Sequence, residues 1–136
     1  MQTMLGNPPS DTLLASEVDF VNKGAASEMF AGLELLKYHD CFQKAEMHYW
    51  QNTAKNALSE VDYLIAKNGK VLPIEVKAST QGSMQSLWVF MRKHRIHDGV
   101  RTSLENFGQL YYYDSAADQA ERFVRIIPLY ALSNLK

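Results

Sequence analysis

Between Glu60 and Ala78 the chain alternates apolar and polar residues on either side of Asn68-Gly69, a pattern that predicts a β-hairpin. A two-residue hairpin loop favours a type I′ turn, which needs positive φ at both central positions, and Asn and Gly tolerate this. With Lys67 and Lys70 flanking the loop, the strands run over residues 60–67 and 70–78. Asp62 then lies opposite Glu75, and Glu60 opposite Lys77. Side chains alternate with period two, so the other face pairs Val61 with Val76, Tyr63 with Ile74 and Ile65 with Leu72. These apolar pairs set the register, because a one-residue slip would turn them to water.

The same reading places elements along the rest of the chain. A helix opened by Asn22 or a neighbour and running to about Tyr38 carries Met29, Leu33 and Leu36 at helical spacing, and this trio is expected to face the core. Glu28 lies at the edge of the apolar stripe, on the side shared with Ala31, Gly32 and Leu35. Residues 44–51 alternate as a strand that makes a three-stranded meander with the hairpin. Met84, Leu87, Trp88 and Met91 recur at i, i+3, i+4 and i+7 and predict a second helix that ends around residues 94–99 and covers one sheet face. Further strands are expected over residues 100–104, 109–113 and 123–129. The first residues, broken by Gly6-Asn7-Pro8-Pro9-Ser10, read as a loop and a short turn of helix near Asp11. The order α, β, β, β, α, then β predicts an α/β or α+β fold.

Two carboxylates face to face on a sheet repel, so Asp62 and Glu75 require either open water or a cation between them. In one reading they belong to the wet face of an amphipathic hairpin, with Glu60 and Lys77 as a surface ion pair. In the other, the face is covered, as its Leu64, Ala66, Val71, Pro73 and Ala78 suggest, and the carboxylates are candidate ligands for a divalent metal. Mg²⁺ takes oxygen ligands and uses only one or two protein carboxylates, leaving positions for water and substrate phosphate. Lys77 would stand beside that water as a compact positive charge, orienting the nucleophile or stabilising developing negative charge.

Asp62 followed by Glu75-Val76-Lys77 on the next strand resembles the Asp…Glu-x-Lys signature of the PD-(D/E)XK nuclease-like superfamily. In order, NKGAASEMFAGLELL, SEVDYLI, VLPIEVKAS and IIPLYAL resemble the C-terminal domain of a bacterial and archaeal AAA-type ATPase family, commonly described as a domain of unknown function. The likeness runs from Val18 to the C-terminus, so residues 18–136 are expected to form the nuclease-like domain and residues 1–17 a leading segment. The resemblance implies a restriction-endonuclease-like core, a mixed central sheet flanked by helices. It also implies Mg²⁺ or Mn²⁺ at Asp62 and Glu75, and Lys77 as catalytic cation. Glu28 matches the place of the first-helix glutamate that completes the metal site in many members. The implied substrate is a nucleic-acid phosphodiester, DNA favoured, and the implied partner an AAA-type ATPase segment. The alternative is a catalytically inactive module that keeps the fold for protein or DNA contact.

With 136 residues, nearly half of them hydrophobic, the chain is long enough for one domain with a real core. The formal net charge of −1 supplies no general basic field for nucleic acid. A single cysteine, Cys41, forms no internal disulfide. The opening residues lack a basic start with an apolar core, so a cytoplasmic setting without membrane insertion is expected. No GxxxxGK[ST] pattern is present, so ATP hydrolysis by this chain is not expected. Arg92-Lys93-His94-Arg95, with Lys77 and Arg101, would contact a phosphate backbone if these residues share the face around the hairpin; otherwise the run complements a helix C-terminus. Tyr111-Tyr112-Tyr113 is expected to straddle the core rather than offer bases a stacking platform.

Overall fold

The fold is described from a computed structural model, which covers residues 12–39, 46–53, 58–78 and 83–135. The elements are α1 (Thr12–Tyr38), β1 (His48–Asn52), β2 (Ser59–Lys67), β3 (Lys70–Glu75), α2 (Gln85–Lys93), β4 (Asp98–Ser103), β5 (Gly108–Asp114) and β6 (Ala120–Pro128), followed by a 3₁₀ segment (Leu129–Asn134). Cys41, the start of the first expected strand and the opening loop lie outside the described residues. No described helix is long and apolar enough to cross a membrane.

The hairpin forms as its turn chemistry dictates. Asn68 and Gly69 take φ values of 51° and 73°, and Lys67 pairs with Lys70, Ile65 with Leu72 and Tyr63 with Ile74 in the antiparallel ladder. β1 adds to the far side of β2, antiparallel. The chain then crosses through α2, so that β4 lies parallel to β3, and β6 parallel to β4. β5 closes the edge as a hairpin with β6. The result is one six-stranded mixed sheet of order β1-β2-β3-β4-β6-β5, with helices on both faces, an α/β architecture.

The sheet buries a different stripe on each face. Toward α1 and the 3₁₀ segment, Ile65, Ile74, Val100 and Ile127 meet Ala31, Leu35 and Leu132. Toward α2, Leu87 and Met91 pack on Val124, flanked by Met84 and Trp88. The expected amphipathic pattern of α2 therefore holds, and each fully buried aliphatic side chain contributes about 1.5–3 kcal/mol.

α1 departs from expectation twice. It begins at Thr12 rather than near Asn22 and runs unbroken for 27 residues. Its buried stripe contains Ala31 and Leu35, whereas Met29, Leu33 and Leu36 are 68%, 54% and 43% exposed. Close approach to the sheet explains the inversion. The Tyr63 hydroxyl donates to the Glu28 carbonyl at 2.8 Å, and a Cβ at Gly32 would come within 2.9 Å of that hydroxyl oxygen. Small residues fit this contact and the larger trio does not.

The tyrosine triplet also departs from expectation. It lies on the edge strand β5, and Tyr111 and Tyr113 are 66% and 60% exposed. Tyr111 rests on Phe123, and Tyr112 on Trp88. An edge strand has neighbours on one side only, which leaves most of the ring surface in water. Below it, the fully buried Arg122 pairs with Asp118 and lies 3.9 Å from Asp114. Arg92 Nε donates to Asp114 Oδ2 at 2.6 Å, tying α2 to the end of β5.

Candidate active site

The feature that builds the site is a place where the hairpin comes apart. The β2–β3 ladder ends at the pair Tyr63–Ile74. Beyond it β2 continues beside β1, with Val61 opposite Trp50 and Glu60 opposite Gln51. β3 turns instead to β4, with Ile74 opposite Val100 and Glu75 opposite Arg101. Asp62 and Glu75 thus sit at the crotch of two diverging strands. The backbone pairs expected at Asp62–Glu75, Val61–Val76 and Glu60–Lys77 do not form. The Val76 N–H donates instead to Asp62 Oδ2 at 2.6 Å, bridging the gap with a side chain.

Glu28, Asp62, Glu75 and Lys77 line one pocket of about 340 Å³, together with Gln51, Glu60 and Ser86 at the start of α2. All four residues singled out from the sequence are therefore neighbours. Glu75 is 4% exposed. Its Oε1 lies 2.7 Å from Lys77 Nζ, so Lys77 pairs with Glu75 and not, as expected, with Glu60. Its Oε2 is buried without a hydrogen-bond partner. Past the end of β3 the Lys77 backbone is held on β4: its N–H donates to Thr102 Oγ1 at 2.9 Å, and the Thr102 hydroxyl lies 3.2 Å from the Lys77 carbonyl as donor. Thr102 was missed in the sequence because its role depends on the parallel neighbour of β3, which no local pattern announces.

The electrostatics follow from this crowding. Burial, with the charges of Glu75 and Glu28 added, raises the Asp62 carboxyl from 3.8 to about 6, against the opposing pull of the Val76 N–H and Lys77. Burial first, then the carboxylates of Glu28 and Asp62, also raises the Tyr63 hydroxyl. Among the described residues no group of three or more His, Cys, Asp or Glu side chains is arranged to hold a metal ion. What the pocket offers is a pair of carboxylates on adjacent strands, one with a spare buried oxygen, and an exposed third carboxylate, Glu28, on the wall. An all-oxygen donor set with an unsatisfied buried oxygen suits a hard divalent cation that keeps several waters.

The basic run lies elsewhere. Arg92 is committed to Asp114, Lys93 Nζ stands 5.5 Å from the Trp50 ring, and His94 and Arg95 line a separate cleft with Trp50, Lys67 and Lys70. None of these four residues borders the carboxylate pocket.

A family model described as "Domain of unknown function (DUF4143)" matches residues 23–132. That span contains every residue of the carboxylate pocket. No curated protein matches the chain.

Proposed function

The chain belongs to the family of the domain of unknown function DUF4143, and for this member we propose a divalent-metal-dependent nuclease-like centre acting on nucleic-acid phosphodiesters, of the PD-(D/E)XK type. The observation that supports it is the convergence of Asp62, Glu75 and Lys77 in one pocket, with one Glu75 oxygen taken by Lys77 and the other unsatisfied. Asp62 and Glu75 would hold Mg²⁺ or Mn²⁺, and Glu28 would reach it as an accessory ligand, directly or through water. A cation held there polarises a scissile phosphoryl oxygen and makes a neighbouring water more acidic. Lys77 carries its ammonium at the same edge, fixed from behind by Thr102, where it meets negative charge developing on phosphate oxygens. The Val76 N–H orients the Asp62 carboxylate, and β1 and β2 wall the pocket on the other side.

Cleavage of labelled single-stranded, duplex and branched DNA and of RNA, in Mg²⁺, Mn²⁺ or EDTA, tests this reading. Metal-dependent cutting that disappears in both Glu75→Ala and Lys77→Ala is the expected result. Absence of cutting by folded protein under every metal removes it.

A second reading is favoured by a different observation. The outward face of α1 presents Met29, Phe30, Leu33 and Leu36 to solvent, an apolar surface of the kind that marks contact with another protein. On that reading the domain serves a cytoplasmic AAA-type ATPase segment as a non-catalytic docking module. Co-purification with such a segment, lost on substituting Met29 and Leu33, supports it; undiminished association in that variant counts against it.

A further inference from the structure

A cleft of about 990 Å³ opens beside the hairpin turn, bordered by β1, β2, β3, the C-terminal end of α2 and β6. Its charge is lopsided. Lys67, Lys70, Arg95 and Arg125 line it against one acid, Asp98, in a chain whose acids outnumber its lysines and arginines by 15 to 14. Lys70 and Arg95 are exposed at the rim, and among the described residues neither they nor Arg125 form an ion pair. Lys67 donates to the Leu135 carbonyl. Burial first, then the charge of Arg125, holds its ammonium below the usual lysine pKa, with Asp98 opposing. The cations thus crowd one another, and one carboxylate does not neutralise them.

Arg95 is placed by the way α2 ends. The Ile96 N–H donates to the Met91 carbonyl at 2.8 Å and the Arg95 N–H to the Arg92 carbonyl at 3.3 Å, a Schellman turn whose left-handed position glycine usually fills. Here that position holds Arg95, at a φ of 53°. A guanidinium therefore stands at the mouth of the cleft where an absent side chain would ease the backbone.

Between the cations the floor is apolar, made by Leu64, Val71, Phe90, Ile96 and Phe123 with Trp50 at the side. An inorganic anion would use the rim alone. Single-stranded nucleic acid uses both parts of such a groove, resting bases on aromatic and apolar side chains while its phosphates meet cations. A duplex keeps its bases stacked inside and leaves the floor unfilled. The neighbouring site favours the same ligand, because the elements that line the cleft also line the carboxylate pocket. α2 lends Ser86 to the pocket and Phe90 to the cleft, one turn or about 6 Å further on. β2 lends Asp62 and then Leu64, about 7 Å along the strand. At about 3.4 Å per stacked nucleotide, a chain with a phosphodiester in the pocket reaches the cleft in about two nucleotides.

We infer that this cleft receives the single-stranded stretch of nucleic acid flanking the phosphodiester held at Asp62 and Glu75, with phosphates on Lys70, Arg95 and Arg125 and bases on the apolar floor. The inference rests on the nuclease-like reading above and adds to it a requirement for a single strand beside the scissile bond. Binding is measured apart from cleavage. The whole chain in EDTA is titrated into a labelled oligothymidylate of about 12 nucleotides and into its duplex with oligodeoxyadenylate, with polyglutamate and inorganic polyphosphate as competitors. The parent is compared with Arg95→Gly/Lys70→Gln.

The double variant should bind the oligothymidylate roughly tenfold or more weakly, with the salt slope reduced by about 1.4 for two lost phosphate contacts. It should melt no lower than the parent, because glycine suits the end of α2. If it does not fold, Lys70→Gln alone, at an exposed strand position, repeats the test with a slope change of about 0.7. The single strand should be held more tightly than the duplex, and neither competitor should displace it at matched charge. Parental affinity in the folded variant, absence of binding by the parent at low salt, or a duplex held as tightly as the single strand overturns the inference. Displacement by polyglutamate would give the cleft to an acidic peptide, and displacement by polyphosphate to anions without bases; either result overturns it too. Single-strand binding that depends on Arg95 and Lys70, in a protein that cuts no substrate under any metal, removes the nuclease-like centre and leaves the cleft assignment standing.

Discussion

Asp62→Asn separates electrostatic cost from function. Asn keeps an oxygen that can accept the Val76 N–H and removes the ionisable group. Asp62 titrates near 6 in the fold, against an ordinary 3.8, chiefly because burial disfavours its charge and Glu75 and Glu28 repel it. The folded state therefore binds this proton more tightly than the unfolded chain does, and stability falls as pH rises between those two values. Asp62 costs little below about pH 4 and its full amount above pH 6. The pKa difference sets a ceiling of about 3 kcal/mol, which the partial exposure of the side chain reduces to about 1–2 kcal/mol. At pH 7.5 and in EDTA, Asp62→Asn should thus melt about 5 °C higher than the parent. The gain should shrink toward zero as pH is lowered to 4. Scanning calorimetry with chemical denaturation across pH 4–8 measures it. Millimolar Mg²⁺ should narrow the gap at pH 7.5 by stabilising only the parent. A stability difference that is flat across this pH range, or a variant less stable than the parent at pH 7.5, refutes the reasoning.

Asp114→Ala removes the acceptor of Arg92 and of the Ala117 N–H and leaves the buried Arg122 with Asp118 alone; a loss of about 3 kcal/mol by urea denaturation is expected. Gly69→Ala meets no neighbouring atom but must hold a φ of 73°, and about 1 kcal/mol should be lost, again read from the urea midpoint. Leu33→Ser, on the exposed face of α1, should change stability by less than about 0.5 kcal/mol. A larger loss would mean that this face is covered in the folded chain.

The parts of this fold that depend on neighbours in sequence were legible. Asn68-Gly69 specified the turn and, through it, the pairing down to Tyr63 and Ile74. α2 could be read from its four apolar positions because a short helix has one stripe to bury. α1 was misread because it carries two apolar stripes, and spacing does not say which meets the sheet. The choice falls to Ala31 and Gly32, whose size permits contact with Tyr63. The exposure of the tyrosines turned on β5 being an edge, a fact of sheet order and not of composition. In the site, Asp62, Glu75, Lys77 and Glu28 were named from sequence and do share a pocket. The switch of Lys77 from Glu60 to Glu75, the Thr102 clamp and the burial of Arg101 were not legible, since each follows from β4 arriving parallel to β3.

The parting of β2 from β3 also makes sheet coiling a mechanical variable of the pocket. Past Tyr63 and Ile74 no ladder hydrogen bond ties the two carboxylate-bearing strands to each other; each takes its direction from a different neighbour, β1 on one side and β4 on the other. The width of the gap is thus set by how far the two halves of the sheet rotate against one another, and the Asp62–Val76 bond acts as a spring across it. A rotation of β1 against β4 would therefore change the distance between the two carboxylates. Substitutions that alter twist in β1 or β4 would then change the spacing of Asp62 and Glu75 while leaving every residue of the pocket unchanged.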